Sequence, residues 1–125
     1  MSSKTNFLRA VITSNLDTIV KTYYRFADAK ADFPHAVYDF ENVDLGDISR
    51  DDLILIIDLW GKGKDTSAIE KMADQIEEMF NAANLPDEYV LPTFYRISRK
   101  PIDDEDKTLI RRQLKFKVEN YSLGG

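Results

Sequence analysis

A chain of 125 residues with 17 Lys and Arg against 22 Asp and Glu, 43% hydrophobic and 11% aromatic, has the makings of one globular domain. Without cysteine and with one histidine, His35, it has no disulfide framework, no thiol nucleophile, no thiolate metal site and no His-rich metal centre within one chain. The net charge of −5 lacks the basic footprint of a nucleic-acid binder, no apolar run approaches the roughly 20 residues that span a bilayer, and MSSKTNFLRA has no signal-peptide apolar region, so cytoplasmic synthesis is expected.

Phe7, Leu8, Val11, Ile12 and Leu16 share one helical face and predict a helix over residues 5–16, with Ser3 or Thr5 as its cap. From Val20 to Phe26 the period is two, with β-branched and aromatic residues, which predicts a strand. Residues 28–34 read as a connection, and Pro34 opens a second strand over His35–Glu41. Asn42–Ser49 is turn-rich and acidic. The strongest strand, DLILIIDLW over Asp52–Trp60, is apolar almost throughout, as for a central strand covered on both faces. After Gly61-Lys62-Gly63-Lys64, any of Asp65, Thr66 and Ser67 can cap a helix, and Ser67 to Glu70 has capping-box spacing. Ile69, Met72, Ala73, Ile76, Met79 and Phe80 define an amphipathic helix ending near Asn81. Strands over Val90–Ser98 and Leu109–Tyr121, joined by PIDDED, make a long hairpin, with Pro92 at an edge or bulge. Its tip is acidic and its arms are basic, with Leu114, Phe116 and Val118 on one face and Gln113, Lys115, Lys117 and Glu119 on the other. The order α-β-β-β-α-β-β predicts a single α+β domain over 1–125: a mostly antiparallel sheet of about five strands with two helices on one face.

No enzymatic constellation stands out. His35 titrates near neutral pH but has no partner at recognisable spacing, and reads as an ordinary strand-edge histidine. Asp39, Glu41, Asp44, Asp47, Asp51 and Asp52 lack an EF-hand pattern and read as a solvated acidic stretch, as does Asp103–Asp106. Gly61-Lys62-Gly63-Lys64 is not a phosphate loop, because the glycines are too close and Asp65 follows. Trp60 suits either an interface anchor or a plug for the core's end. The expectation is a binding or building protein rather than an enzyme, with no catalytic, cofactor or metal residues and no cofactor.

PHAVYDF (Pro34–Phe40), RDDLILIIDLW (Arg50–Trp60), IEKMADQIEEMF (Ile69–Phe80), FYRIS (Phe94–Ser98) and RRQLKFKVENYS (Arg111–Ser122) together resemble the tail-terminator and tail-completion proteins of long-tailed bacteriophages. The resemblance implies an α+β fold and a structural virion protein of the tail or neck. It implies a homo-hexameric ring that caps the tail tube and joins it to the head. The implied partners are further copies of the chain, the tail tube protein and a head-completion or connector protein. The resemblance further implies that DNA passes through the lumen without specific binding and that no membrane is involved. A ring needs two unlike patches on each subunit. The expected interface residues are Asp44, Asp47, Arg50, Trp60, Arg112, Lys115 and Lys117, with the basic hairpin arms of one subunit pairing with the acidic stretch of another.

Two other classes fit the composition. A small dimeric ligand-binding or regulatory module of ferredoxin-like α+β fold would line a pocket with Tyr38, Trp60, Phe94 and Tyr95. A small hydrolase would use His35 with a nearby Asp.

Overall fold

The computed structural model describes residues 3–45, 50–81 and 84–123, with side chains from residue 5 on and outside 42–45. The elements are α1 (Ser3–Leu16), β1 (Thr22–Tyr24), β2 (His35–Leu45), β3 (Arg50–Lys62), α2 (Ser67–Phe80), β4 (Val90–Pro101) and β5 (Leu109–Ser122). They form the expected α+β domain. The sheet has five strands in the order β1-β2-β3-β5-β4, antiparallel throughout except for β1 beside β2.

Period-two alternation in β3 sets the layers. Leu53, Leu55, Ile57 and Leu59 are buried at 4% exposure or less. They meet Leu8, Ile12 and Leu16 of α1, and Ile69, Ala73, Ile76 and Phe80 of α2, within one core. The intervening Ile54, Ile56, Asp58 and Trp60 lie on the other face and are half-buried. Near-continuous apolarity in β3 therefore does not mean two covered faces. Ile56 stands between Asp39 and Lys115, and Ile54 between Glu41 and Lys117, so stems of long neighbouring side chains supply the partial cover.

Other departures from the sequence reading follow from pairing. Val20 belongs to the turn closing α1, whose amide donates to the Leu16 carbonyl at 3.0 Å, so β1 shrinks to three residues. Strand β2 runs on through a bulge between Glu41 and Asp44 to Leu45, within the segment expected to be a turn, because β3 begins early enough to pair with it. The hairpin arms reach Pro101 and Ser122, and β4 is an edge strand as Pro92 requires. At the start of α2, Thr66 holds the cap position without a side-chain hydrogen bond. Asp65 Oδ1 instead accepts the Ser67 amide at 2.9 Å, which lowers the Asp65 carboxyl below its ordinary value. Ser67 is already helical and Glu70 turns to the sheet, so the capping box does not form.

A cluster of ion pairs fastens α2 to the hairpin. Arg99 reaches Asp74 at 2.7 Å and Glu77 at 2.6 Å, and its Nη2 lies 3.2 Å from Glu70. Arg96 Nε lies 2.6 Å from Glu77 Oε2, and Arg112 Nε donates to Glu70 Oε1 at 2.7 Å. Burial works against the charge on Arg99, but the hydrogen bonds to Asp74 and Glu77 outweigh it and raise its pKa. Gly61 allows the first turn of α2 to approach β3, since a Cβ there would stand 2.6 Å from the Ile69 side chain.

Candidate functional site

Both helices cover one face of the sheet, which leaves the opposite face without a helix. Charged pairs cross the open face from strand to strand. Arg111 Nε donates to Asp58 Oδ1 at 3.0 Å, and Gln113 Nε2 donates to the same oxygen at 3.2 Å. The Arg111 guanidinium also lies 4.9 Å from the centroid of the Trp60 ring. At the other end, Arg50 donates to both oxygens of Asp52, at 2.8 and 3.1 Å, and to Glu119 Oε2 at 2.6 Å. The hydrogen bond to Asp52 raises the Arg50 pKa. Lys117 Nζ is 3.4 Å from Glu119, and Lys115 Nζ is 3.8 Å from Glu41.

The predicted interface residues therefore divide. Arg50, Trp60, Lys115 and Lys117 share the open face, whereas Arg112 alternates to the helix side, where Glu70 holds it. Asp44 lies in β2 opposite Asp52, and Asp47 lies outside the described residues. Pairing between basic arm and acidic stretch occurs inside one chain in Lys115–Glu41, and Arg50–Glu119 joins the same two segments with the signs reversed.

The crossover from β1 to parallel β2 lies against the open face and borders an open groove of about 450 Å³, lined by Phe26, Ala29, Phe33, Val37, Asp58 and Trp60 among others. In sequence Phe26 reads as the end of a strand and residues 28–34 as a connection. Its signal was two phenylalanines in an alanine-rich loop, FADAKADF, where polar turn residues are the rule. Phe26 is 78% exposed. Ile97 was likewise hidden inside a predicted strand; it falls at a register shift between Arg96 and Ser98 and is 51% exposed.

Tyr38, Trp60, Phe94 and Tyr95 do not line a common pocket. Tyr38 and Phe94 are buried in the core on the helix side, while Trp60 and Tyr95 belong to the open face. The Tyr38 hydroxyl lies 2.8 Å from Thr13 Oγ1 and donates to the Arg9 carbonyl at 3.1 Å; burial raises its pKa. His35 is buried, with Nδ1 3.0 Å from the Asp32 carbonyl and its ring between Tyr23 and Phe33. It is a packed histidine at the start of β2. Among the described residues, no three His, Asp or Glu side chains are grouped to hold a metal ion, and no helix is long and apolar enough to cross a membrane.

No family model matches this sequence, and no curated protein matches it. The fold is similar to that of a solved chain from the "Virion of native gene transfer agent (GTA) particle". The two agree with a TM-score of 0.62 at 14% sequence identity, over 90% of this chain and 85% of that one. At that identity the likeness is one of fold.

Proposed function

We propose that the chain is a structural virion protein that acts by assembly rather than catalysis, as a ring-forming tail-terminator or tail-completion subunit at the joint between tail tube and head. The observation that carries this reading is the fold shared over nine tenths of the chain with a protein of a phage-like particle. The distribution of surfaces supports it. The helices cover one sheet face, while the edges and much of the other face stay available to neighbours. The net charge of −5 suits a subunit past which DNA slides, because a basic lumen would hold phosphates by counterion release. Partners in this reading are other copies of the chain, the tail tube protein and the head connector.

Native mass spectrometry over a range of protein concentrations, with negative-stain imaging and with purified tail tubes added, tests it. Rings of about six subunits with a central hole, alone or on tube ends, are the expected result. A stable dimer at every concentration, with no binding to tube ends, would overturn the proposal.

A further inference from the structure

Arg9 reaches from α1 to the edge strand β1, where its guanidinium lies 3.8 Å from the centroid of the Tyr24 ring. Tyr24 is the last residue of that strand. The chain then leaves through a strained turn at Arg25, whose φ is 67°, with the Phe26 amide donating to the Tyr24 carbonyl at 2.8 Å. The Tyr38 hydroxyl donates to the Arg9 carbonyl and ties this part of α1 to β2. Arg9 is half-buried, and its Nε is buried without a hydrogen-bond acceptor. Among the described lysines and arginines that are half-buried, Arg9 alone has no carboxylate partner. A guanidinium partly withdrawn from water and fixed on a ring gains more from a carboxylate than a solvated lysine does.

Helix α2 has the opposite shortage. Glu70, Asp74 and Glu78 follow at four-residue spacing along one stripe of the helix, an arrangement in which like charges repel. Arginines of the hairpin answer the first two: Arg112 and Arg99 reach Glu70, and Arg99 reaches Asp74. Arg96 is taken by Glu77. The stripe therefore runs out of cations at Glu78, which is exposed and has no ion partner among the described residues. Glu78 lines an open cleft of about 290 Å³ with Asp74 and Asn81, beside Arg96 of the edge strand β4.

A guanidinium short of a carboxylate and a carboxylate short of a cation cannot meet within this chain. Arg9 stands at the β1 edge and Glu78 at the β4 edge, with β2, β3 and β5 between them. Two copies side by side, helix layer next to helix layer, bring them together. We infer that Arg9 of one copy pairs with Glu78 of the next, in the cleft that Asp74 and Asn81 border. The contact joins unlike surfaces and repeats head to tail. It rests on the ring reading above and names the charges that select which surfaces of neighbouring copies meet.

Native mass spectrometry of full-length variants, alone and with purified tail tubes, measures the protein concentration at which half of the chains are in rings. Glu78→Arg sets a like charge against Arg9 from an exposed helix position. It should raise that concentration at least about tenfold and leave Tm unchanged. Arg9→Gln should raise it as well. Added to Glu78→Arg, however, Arg9→Gln removes the repulsion, so the double variant should assemble better than Glu78→Arg alone. Tm is measured for every variant, and Arg9→Met replaces the glutamine variant if its Tm falls. Rings from Glu78→Arg at the concentration the unsubstituted protein needs would overturn this contact and leave the ring reading standing. A double variant that assembles no better than Glu78→Arg would do the same. No rings from the unsubstituted protein, alone or on tube ends, would overturn both.

Discussion

Replacing Arg99 with Met should destabilise the fold more than any other single charge removal on this molecule. The Arg99 side chain is 20% exposed, and it alone bonds Glu70, Asp74 and Glu77 together. Glu77 is the vulnerable partner, at 10% side-chain exposure, since its removal from water is tolerable only while cations hold it. Removing one member of a fully buried pair costs about 3–5 kcal/mol. Here Arg96 still reaches Glu77 Oε2, and water reaches part of the cluster, which brings the loss to about 2–3 kcal/mol. Methionine keeps most of the apolar stem, so little of the loss is packing. For a chain of 125 residues the unfolding entropy is on the order of 0.26 kcal/mol/K, and Tm should fall by about 8–12 °C. Urea unfolding measures the free energy, with an unchanged m value as the check that both end states are intact. Glu41→Gln provides the contrast: it removes the exposed 3.8 Å pair with Lys115 and should cost under about 0.5 kcal/mol. A loss below about 0.5 kcal/mol for Arg99→Met would refute the assignment of Glu77 as a carboxylate dependent on its clamp.

Gly61→Ala should cost about 1–3 kcal/mol, read as a lower urea midpoint, because its Cβ would stand 2.6 Å from Ile69 and push α2 off the sheet. At alkaline pH, Tyr38 is the group to watch. Its folded pKa is raised by burial, so the stability linked to its proton is complete below the unfolded value of about 10 and is lost as pH rises through the higher folded value. Tyr38→Phe should therefore flatten part of the fall in Tm above about pH 10, and an unchanged slope would count against the buried hydroxyl. Reversing Lys115 and Lys117 to Glu should impair ring or tail assembly. The thermal cost should be modest, about 1 kcal/mol, since both residues are partly exposed and their pairs are 3.8 and 3.4 Å long. Normal assembly by that double variant would remove the open face of β5 from the interface.

What could be read in the sequence is what local pattern determines. The α2 face from Ile69 to Phe80 and the alternation Leu114, Phe116, Val118 each follow one period, and both fell where periodicity placed them. Order and layering followed, because seven elements with two amphipathic helices leave few ways to cover a mostly antiparallel sheet. What escaped depends on contacts distant in sequence. Strand β1 is defined by three register pairs with β2, and its parallel sense could not be read from TYY. The composition of β3 suggested cover on both faces, yet Ile54 and Ile56 have charged side chains, not a helix, beside them. Of the proposed interface residues, Arg112 stands apart from Arg50, Trp60, Lys115 and Lys117 because alternation along β5 turns it to the face opposite Arg111, where it donates to Glu70. The Phe26 groove and the Ile97 bulge escaped altogether, since a strained turn and a register shift leave almost no mark in composition.

The same accounting says where neighbours can attach. On the helix side Arg96, Arg99 and Arg112 serve α2, and Glu70, Asp74 and Glu77 are satisfied by them, so these charges have little left with which to recognise a partner. Across the open face, Arg111–Asp58 and Arg50–Glu119 close within the chain, and a partner would have to break them before gaining anything from either charge. Such pairs set the electrostatic landscape and the approach of a neighbour more than its affinity. Affinity has to come from apolar surface that the fold leaves uncovered, and Phe26 and Ile97, at opposite edges of the sheet, are the two most exposed large apolar side chains among the described residues. Those two side chains, rather than the paired charges, are where the surface still gains from being covered.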